Sequence, residues 1–128
     1  MDLLLDTHVM LGLAEPETFP LPKKIEQSLE QHPYHFFVSA ASLWEIAIKH
    51  RQGKLPLPVP LSEWPTLLFI TGVHLINIDP AHVLADLDPV PDTKDPFDRL
   101  LLATAAVERL RLATIDTALL DHPLTWRP

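Results

Sequence analysis

The sequence predicts an α/β domain whose parallel sheet is covered by helices on both faces. Three observations carry this expectation. Short apolar runs of strand length alternate with segments of helical periodicity. The first run, Leu3-Leu4-Leu5, is unbroken, as in a strand buried on both sides rather than one with a wet face. The chain has 128 residues, 47% hydrophobic and 21% charged, a composition that suits one folded domain over residues 1–128. It contains no cysteine, which excludes disulfides, thiolate metal sites and thiol nucleophiles. No apolar run reaches the ~18 residues of a membrane span, and Met1-Asp2-Leu3-Leu4-Leu5-Asp6 lacks the basic start of a signal peptide. A cytoplasmic location is therefore expected.

Each element has its own warrant. Met1–Leu5 is a buried strand, and Asp6-Thr7 turns it into a short helix from about His8 to Ala14 that Pro16 and Pro20 end. Lys23–Gln31 places Ile25 and Leu29 at helical spacing among polar residues, giving an exposed amphipathic helix. Tyr34–Val38 is a second strand. Ser39 caps a helix from Ala40 to about Gln52 that Gly53 stops. Lys54–Pro60 alternates prolines with apolar residues and is extended. Ser62–Thr71 is a helix ended by Gly72, Val73–Ile78 a third strand, and Asp79-Pro80 opens a short helix ending near Leu87. After a proline-rich loop, Asp95-Pro96 starts a helix to Arg109 that is apolar on nearly every side and must lie between layers. Leu112–Ile115 is a fourth strand, and the tail offers one weak edge strand around Leu124–Trp126.

Ten Lys and Arg against 17 Asp and Glu give a net charge of −7, so bulk electrostatics cannot draw in nucleic acid. The placement of the acids matters more than their number. Asp6 follows Leu3-Leu4-Leu5, Glu45 lies within Leu43-Trp44-Glu45-Ile46, Asp98 opens the most apolar helix, and Asp116 follows Ala113-Thr114-Ile115. A carboxylate in apolar surroundings is costly unless paired, hydrogen-bonded or bound to a cation. A shared hard cation such as Mg²⁺, which prefers oxygen ligands, would stabilise several at once. In parallel sheets functional residues gather at the carboxyl ends of strands, where Asp6 and Asp116 stand. Each acid also has a plainer role. Asp6 and Asp116 can cap helices, Glu45 can pair with Lys49 on a solvated face, and Asp98 can complement a helix dipole. Asp95 reads as a cap first and as support for a site second.

Other chemistries are thinly supported. The seven histidines show no ligand spacing, no G-x-S-x-G supplies a serine nucleophile, and three glycines cannot form a phosphate-cradling loop.

Four segments occur in order: Leu3-Leu4-Leu5-Asp6-Thr7-His8, Val38-Ser39-Ala40-Ala41-Ser42-Leu43-Trp44-Glu45-Ile46-Ala47-Ile48-Lys49, Asp95-Pro96-Phe97-Asp98-Arg99-Leu100-Leu101, and Ala113-Thr114-Ile115-Asp116. Together they resemble the PIN-domain ribonucleases, specifically the VapC-type toxins of bacterial toxin–antitoxin pairs, over essentially the whole chain. The resemblance implies a PIN-like three-layer α/β/α sandwich with an acidic pocket at the carboxyl edge of a central parallel sheet. It implies catalytic and metal-binding roles for Asp6, Glu45, Asp98 and Asp116, with Mg²⁺ or Mn²⁺ as cofactor. It further implies RNA as substrate, a cognate VapB-type antitoxin as partner, and a homodimer. Two departures stand out: Thr93-Lys94 precedes Asp95 where many relatives have His-Arg, and Thr117 follows the last acid where a second polar or basic residue is common.

The expected function is Mg²⁺-dependent endoribonuclease. A metal-dependent phosphatase and a non-catalytic PIN-like binding module are the alternatives. Phosphatases with an aspartyl nucleophile after the first strand present a second acid two residues on, and here that residue is His8. Lys49, Arg51 and Lys54, with Arg99, are candidate RNA contacts or simply a solvated helix end. Leu55, Leu57 and Val59 with Trp64, Leu67 and Leu68 either line a groove for the antitoxin or cover the sheet.

Overall fold

The structure, a computed structural model, describes residues 2–31 and 33–128; Met1 of the first predicted strand lies outside them. Four strands form one sheet: β1 (Asp2–Leu5), β2 (His35–Ser39), β3 (His74–Ile76) and β4 (Arg111–Ala113). Their spatial order is β3-β2-β1-β4 and every pairing is parallel, with Leu3 opposite Phe36 and Leu4 opposite Leu112. Strand residues alternate between faces, so Leu3 and Leu5 enter one core and Leu4 the other.

The helices are α1 (Thr7–Ala14), α2 (Lys23–Gln31), α3 (Ala40–Arg51), α4 (Trp64–Ile70), α5 (Pro80–Leu84) and α6 (Pro96–Glu108). Val9, Met10 and Leu11 of α1, Leu29 of α2, Ile46 of α3, and Trp64 and Leu68 of α4 pack with Leu3, Leu5 and Val38. Leu101, Leu102 and Ala105 of α6 pack with Leu4 and Leu112 on the other face. The helix predicted to lie between layers does so, with five residues from Leu101 to Ala105 buried.

Departures from the sequence reading are at the ends of elements. Strands 3 and 4 are shorter than predicted, because residues 77–79 and 114–116 leave the ladder. The predicted Ser62–Thr71 helix begins as a 3₁₀ turn, Leu61–Glu63, and becomes α-helical at Trp64, with Pro65 in its first turn where no amide is needed. The tail supplies a single parallel bridge, Leu112 to Thr125, flanked by backbone bonds of Leu112 to Leu124 and Trp126. It thereby covers the free edge of β4. Leu55, Leu57, Val59 and Leu67 are half-buried against the first core, into which Trp64 and Leu68 are fully sunk. They cover the sheet. The apolar side chains that α4 leaves in solvent are instead Phe69 and Ile70. Among the described residues no helix is long and apolar enough to cross a membrane.

Candidate active site

The strand order reverses at β1: β2 and β3 lie on one side of it and β4 on the other. Such a reversal opens a crevice beyond the carboxyl ends of the strands. Leu5 pairs with Ala113, and the Asp6 amide extends the ladder by donating to the Ala113 carbonyl at 2.9 Å. The residues that follow β1 and β4 therefore emerge side by side. Ser39 both ends β2 and caps α3, its hydroxyl accepting from the Ala41 amide at 3.0 Å. That strand-to-helix junction puts Glu45, in the second turn of α3, over the same edge. Asp95 caps α6 by accepting from the Phe97 amide at 2.8 Å, which places Asp98 in the first turn.

All four predicted acids line one cleft of about 410 Å³. Asp95 lines it too, so five carboxylates face Lys49 and His8, with Thr7 and Thr117 completing the polar wall. A larger cavity of about 620 Å³ lies between α5, the loop after it and α6. Its wall is mostly apolar and gathers no cluster of carboxylates, so the smaller cleft is the candidate site.

The plainer capping and pairing roles are present, and the acids that fill them still line the cleft. Asp6 is buried and does cap α1, one oxygen accepting from the Val9 amide at 2.8 Å. Its other oxygen accepts from the Thr114 hydroxyl, which in turn accepts from the Asp116 amide at 3.0 Å. Glu45, only 8% exposed, accepts from the Thr7 hydroxyl at 2.6 Å and pairs with Lys49 through its second oxygen. Asp98 accepts from the Thr93 hydroxyl at 3.1 Å. Asp116 accepts from the Ala118 amide at 2.9 Å. Thr7, Thr93 and Thr114 thus aim the acids, with Ser42 hydrogen-bonded to Thr7. The three threonines lie next to an acid or two residues before one (Asp6-Thr7, Thr93 before Asp95, Thr114 before Asp116), but only folding shows that Thr7 serves Glu45 and Thr114 serves Asp6.

Crowding shows in the protonation equilibria. Burial pushes the Asp6 carboxyl up from its ordinary range, and the charge of Asp116 adds to this. The hydrogen bonds from Thr114 and Val9, and the nearby His8, work against it. Asp98 is raised to about 6, mainly by burial, then by the neighbouring charges of Asp95, Asp116 and Glu45, against the bond from Thr93. Two acids at one cleft that resist ionisation are what a site designed for an added cation would show without it.

The donor set is all oxygen, which fits a hard divalent ion. Among the described residues, however, no three His, Asp or Glu side chains converge tightly enough to enclose an ion as they stand. Each acid is turned toward a protein hydrogen bond instead. Mg²⁺ accommodates this spacing, because it keeps several of its waters and needs only one or two direct carboxylates.

The basic candidates divide. Lys49 lines the cleft but is tied to Glu45. Arg51 and Lys54 are exposed at the end of α3 and in the turn beyond it. The Arg99 Nε–H donates to the Thr93 carbonyl at 2.8 Å, and the side chain lines the larger neighbouring cavity, not the acidic cleft. Arg99 is therefore a brace for the loop that carries Thr93.

The PIN-domain family profile matches residues 3–123. This chain belongs to the PIN-domain family. The PIN domain is 34% identical to ribonuclease VapC22 of Mycobacterium tuberculosis over 122 residues, covering 93% of this chain and 90% of that protein. Ribonuclease VapC16 of the same organism shares 46% over a 46-residue stretch, 35% of this chain and 33% of that one. Two solved structures share the fold. One is a toxin–antitoxin complex from Klebsiella pneumoniae, with a TM-score of 0.63 and 22% identity, covering 98% of this chain and 96% of that chain. The other is VapBC2 from Rickettsia felis bound to a promoter DNA fragment, with a TM-score of 0.62 and 16% identity at the same coverage. The parallel sheet with helices on both faces is thus the PIN-like α/β arrangement that the sequence motifs anticipate.

Proposed function

We propose that this PIN domain, residues 1–128, is an endoribonuclease toxin of the VapC type that works in the cytoplasm with Mg²⁺ and is silenced by a VapB-type antitoxin. One observation carries the reading. In a chain of this family, five carboxylates line a single cleft at the strand-order reversal, and the ionisation of two is held back by burial and by neighbouring acids. Metal dependence is general among PIN-domain ribonucleases.

Asp6, Asp98 and Asp116, with Glu45, are the groups that would hold the ion. When bound, a divalent cation supplies a water nucleophile at neutral pH and positive charge for the phosphate. The chain's own part is to hold the acids ready. Thr114 keeps Asp6 turned to the cleft, Thr7 and Lys49 hold Glu45, and Thr93 holds Asp98. Among the described residues Lys49 is the lysine that lines the cleft, and together with Thr7 it fixes Glu45 in place beside the other acids. The cluster also answers the net charge of −7: the acids collect cations, and the cations attract RNA. Arg51 and Lys54, exposed at the end of α3 and in the turn beyond it, are available to meet further phosphates.

Cleavage of a mixed single-stranded RNA with Mg²⁺, in excess EDTA, and after Mg²⁺ is restored tests the reading. Activity that disappears and returns is the expected result, with Mn²⁺ able to substitute and Zn²⁺ a poor replacement, since zinc sites recruit nitrogen or sulfur. Undiminished cleavage in chelator, or turnover of a small phosphate monoester in place of RNA, would overturn it.

A further inference from the structure

Trp44 is 58% exposed, whereas the other two tryptophans, Trp64 and Trp126, are 0% and 6% exposed. An isolated exposed apolar side chain needs no explanation. This one is held. Its ring meets Phe97 edge to face, with centroids 5.6 Å apart and planes at 68°. Trp44 directly precedes Glu45 on α3, and Phe97 directly precedes Asp98 on α6, so the pair bridges the two helices that bring those acids to the cleft.

The ring pair does not itself line the cleft but joins the two helices whose Glu45 and Asp98 do. On α3, Ser42, Glu45 and Lys49 share the stripe that meets Thr7. Trp44, Ile48 and Arg51 follow the i, i+4, i+7 spacing of a second stripe, in which Trp44 stands about 100° around the helix from Glu45. An aromatic face next to Glu45 and, about two turns on, an exposed guanidinium therefore share one stripe of α3. An aromatic face next to a cation is how proteins grip single-stranded nucleic acid without reading its sequence.

We infer that Trp44, steadied by Phe97, is a stacking platform for one base of single-stranded RNA flanking the phosphate in the acidic cleft, with Arg51 on a neighbouring phosphate. The inference rests on the ribonuclease reading and adds a residue that positions the substrate, by stacking on one unpaired base. A base-paired strand cannot offer that face.

The test combines kinetics with fluorescence. On a fluorophore-labelled single-stranded oligoribonucleotide with Mg²⁺, Trp44→Ala raises KM roughly 5- to 150-fold, the span for losing one stacked base, while Trp44→Phe stays within about threefold, since a phenyl ring still stacks. In an Asp98→Asn background, which removes turnover, the same oligoribonucleotide protects the exposed indole from acrylamide and quenches its emission. That signal belongs to Trp44, because the other indoles are buried. It vanishes when Trp44→Phe is added. Should Trp44→Ala fold poorly, the quenching result decides alone. An unchanged KM in Trp44→Ala, no protection of the indole, or a change confined to oligomeric state would overturn the inference while leaving the ribonuclease reading in place. Absence of RNA cleavage by the unaltered protein would instead overturn the reading beneath it.

Discussion

Asp98→Asn should destroy activity and yet stabilise the protein. The Asp98 carboxyl is raised from 3.8 to about 6 by burial and by Asp95, Asp116 and Glu45. The folded chain thus holds a proton that the unfolded chain releases between roughly pH 4 and 6, so this group's contribution to stability falls as pH rises through that window. Roughly two units at 1.36 kcal/mol each set a ceiling near ~3 kcal/mol. Asp98 is only half-buried, and solvent screening reduces this to about 1.5 kcal/mol. Asparagine keeps an acceptor for Thr93 but loses the favourable interaction of an acid with the N-terminus of α6, about 0.3–1 kcal/mol. A net gain of about 1 kcal/mol remains above pH 6, some 3–5 °C in a chain of this size, and it fades toward pH 4. Thermal unfolding of both proteins in chelator at pH 4, 5, 6 and 7 measures it. Mg²⁺ at pH 7 should then raise the midpoint of the unaltered protein more than that of the variant. A variant no more stable at pH 7 than at pH 4, relative to its parent, would refute the crowding argument and leave Asp98 as an ordinary helix-dipole acid.

Other outcomes follow from particular contacts. Asp6→Asn keeps the cap on α1 but turns an amide toward the Thr114 hydroxyl, whose proton then lacks an acceptor. That loss, about 1–3 kcal/mol, offsets relief of the buried charge, so its midpoint stays near the parent's while RNA cleavage falls at least ~100-fold. Thr7→Val frees Glu45 from its hydroxyl partner and lowers kcat about tenfold with KM unchanged; Thr7→Ser restores it, and steady-state kinetics distinguish the two. Gly12→Ala drives a methyl against the Leu21 side chain and to 2.9 Å from the Phe19 carbonyl, costing about 1–3 kcal/mol in chemical denaturation despite a better helix former. Arg109 ends α6 with φ 58°, a left-handed conformation, so Arg109→Gly should gain about 0.5–1 kcal/mol by the same assay.

Much of the fold is legible in local chemistry. Asp6, Ser39, Asp79 and Asp95 each accept a backbone amide at the start of the helix that follows, as their positions predicted. The unbroken Leu3-Leu4-Leu5 run announced a strand with no wet face, and all three residues are fully buried. Such features depend on neighbours a few residues away. Strand ends were less legible, because where β3 and β4 stop depends on how far the partner strand continues.

The sequence by itself determined the acids, since a carboxylate following an apolar strand or opening an apolar helix is conspicuous wherever the chain goes next. Only the tertiary structure decided that they meet. Parallel pairing of β1 with β4 brings Asp6 beside Thr114, 108 positions away, and α1 against α3 brings Thr7 to Glu45, 38 positions away. It also separated residues that look alike in the sequence: Arg99 braces a loop, Lys49 is tied to Glu45, and the leucines of the proline-rich segment cover the sheet. Charge and polarity are properties of a residue, whereas burial, partner and direction belong to the packed chain, and a hydrogen bond between distant positions leaves no periodic trace in the sequence.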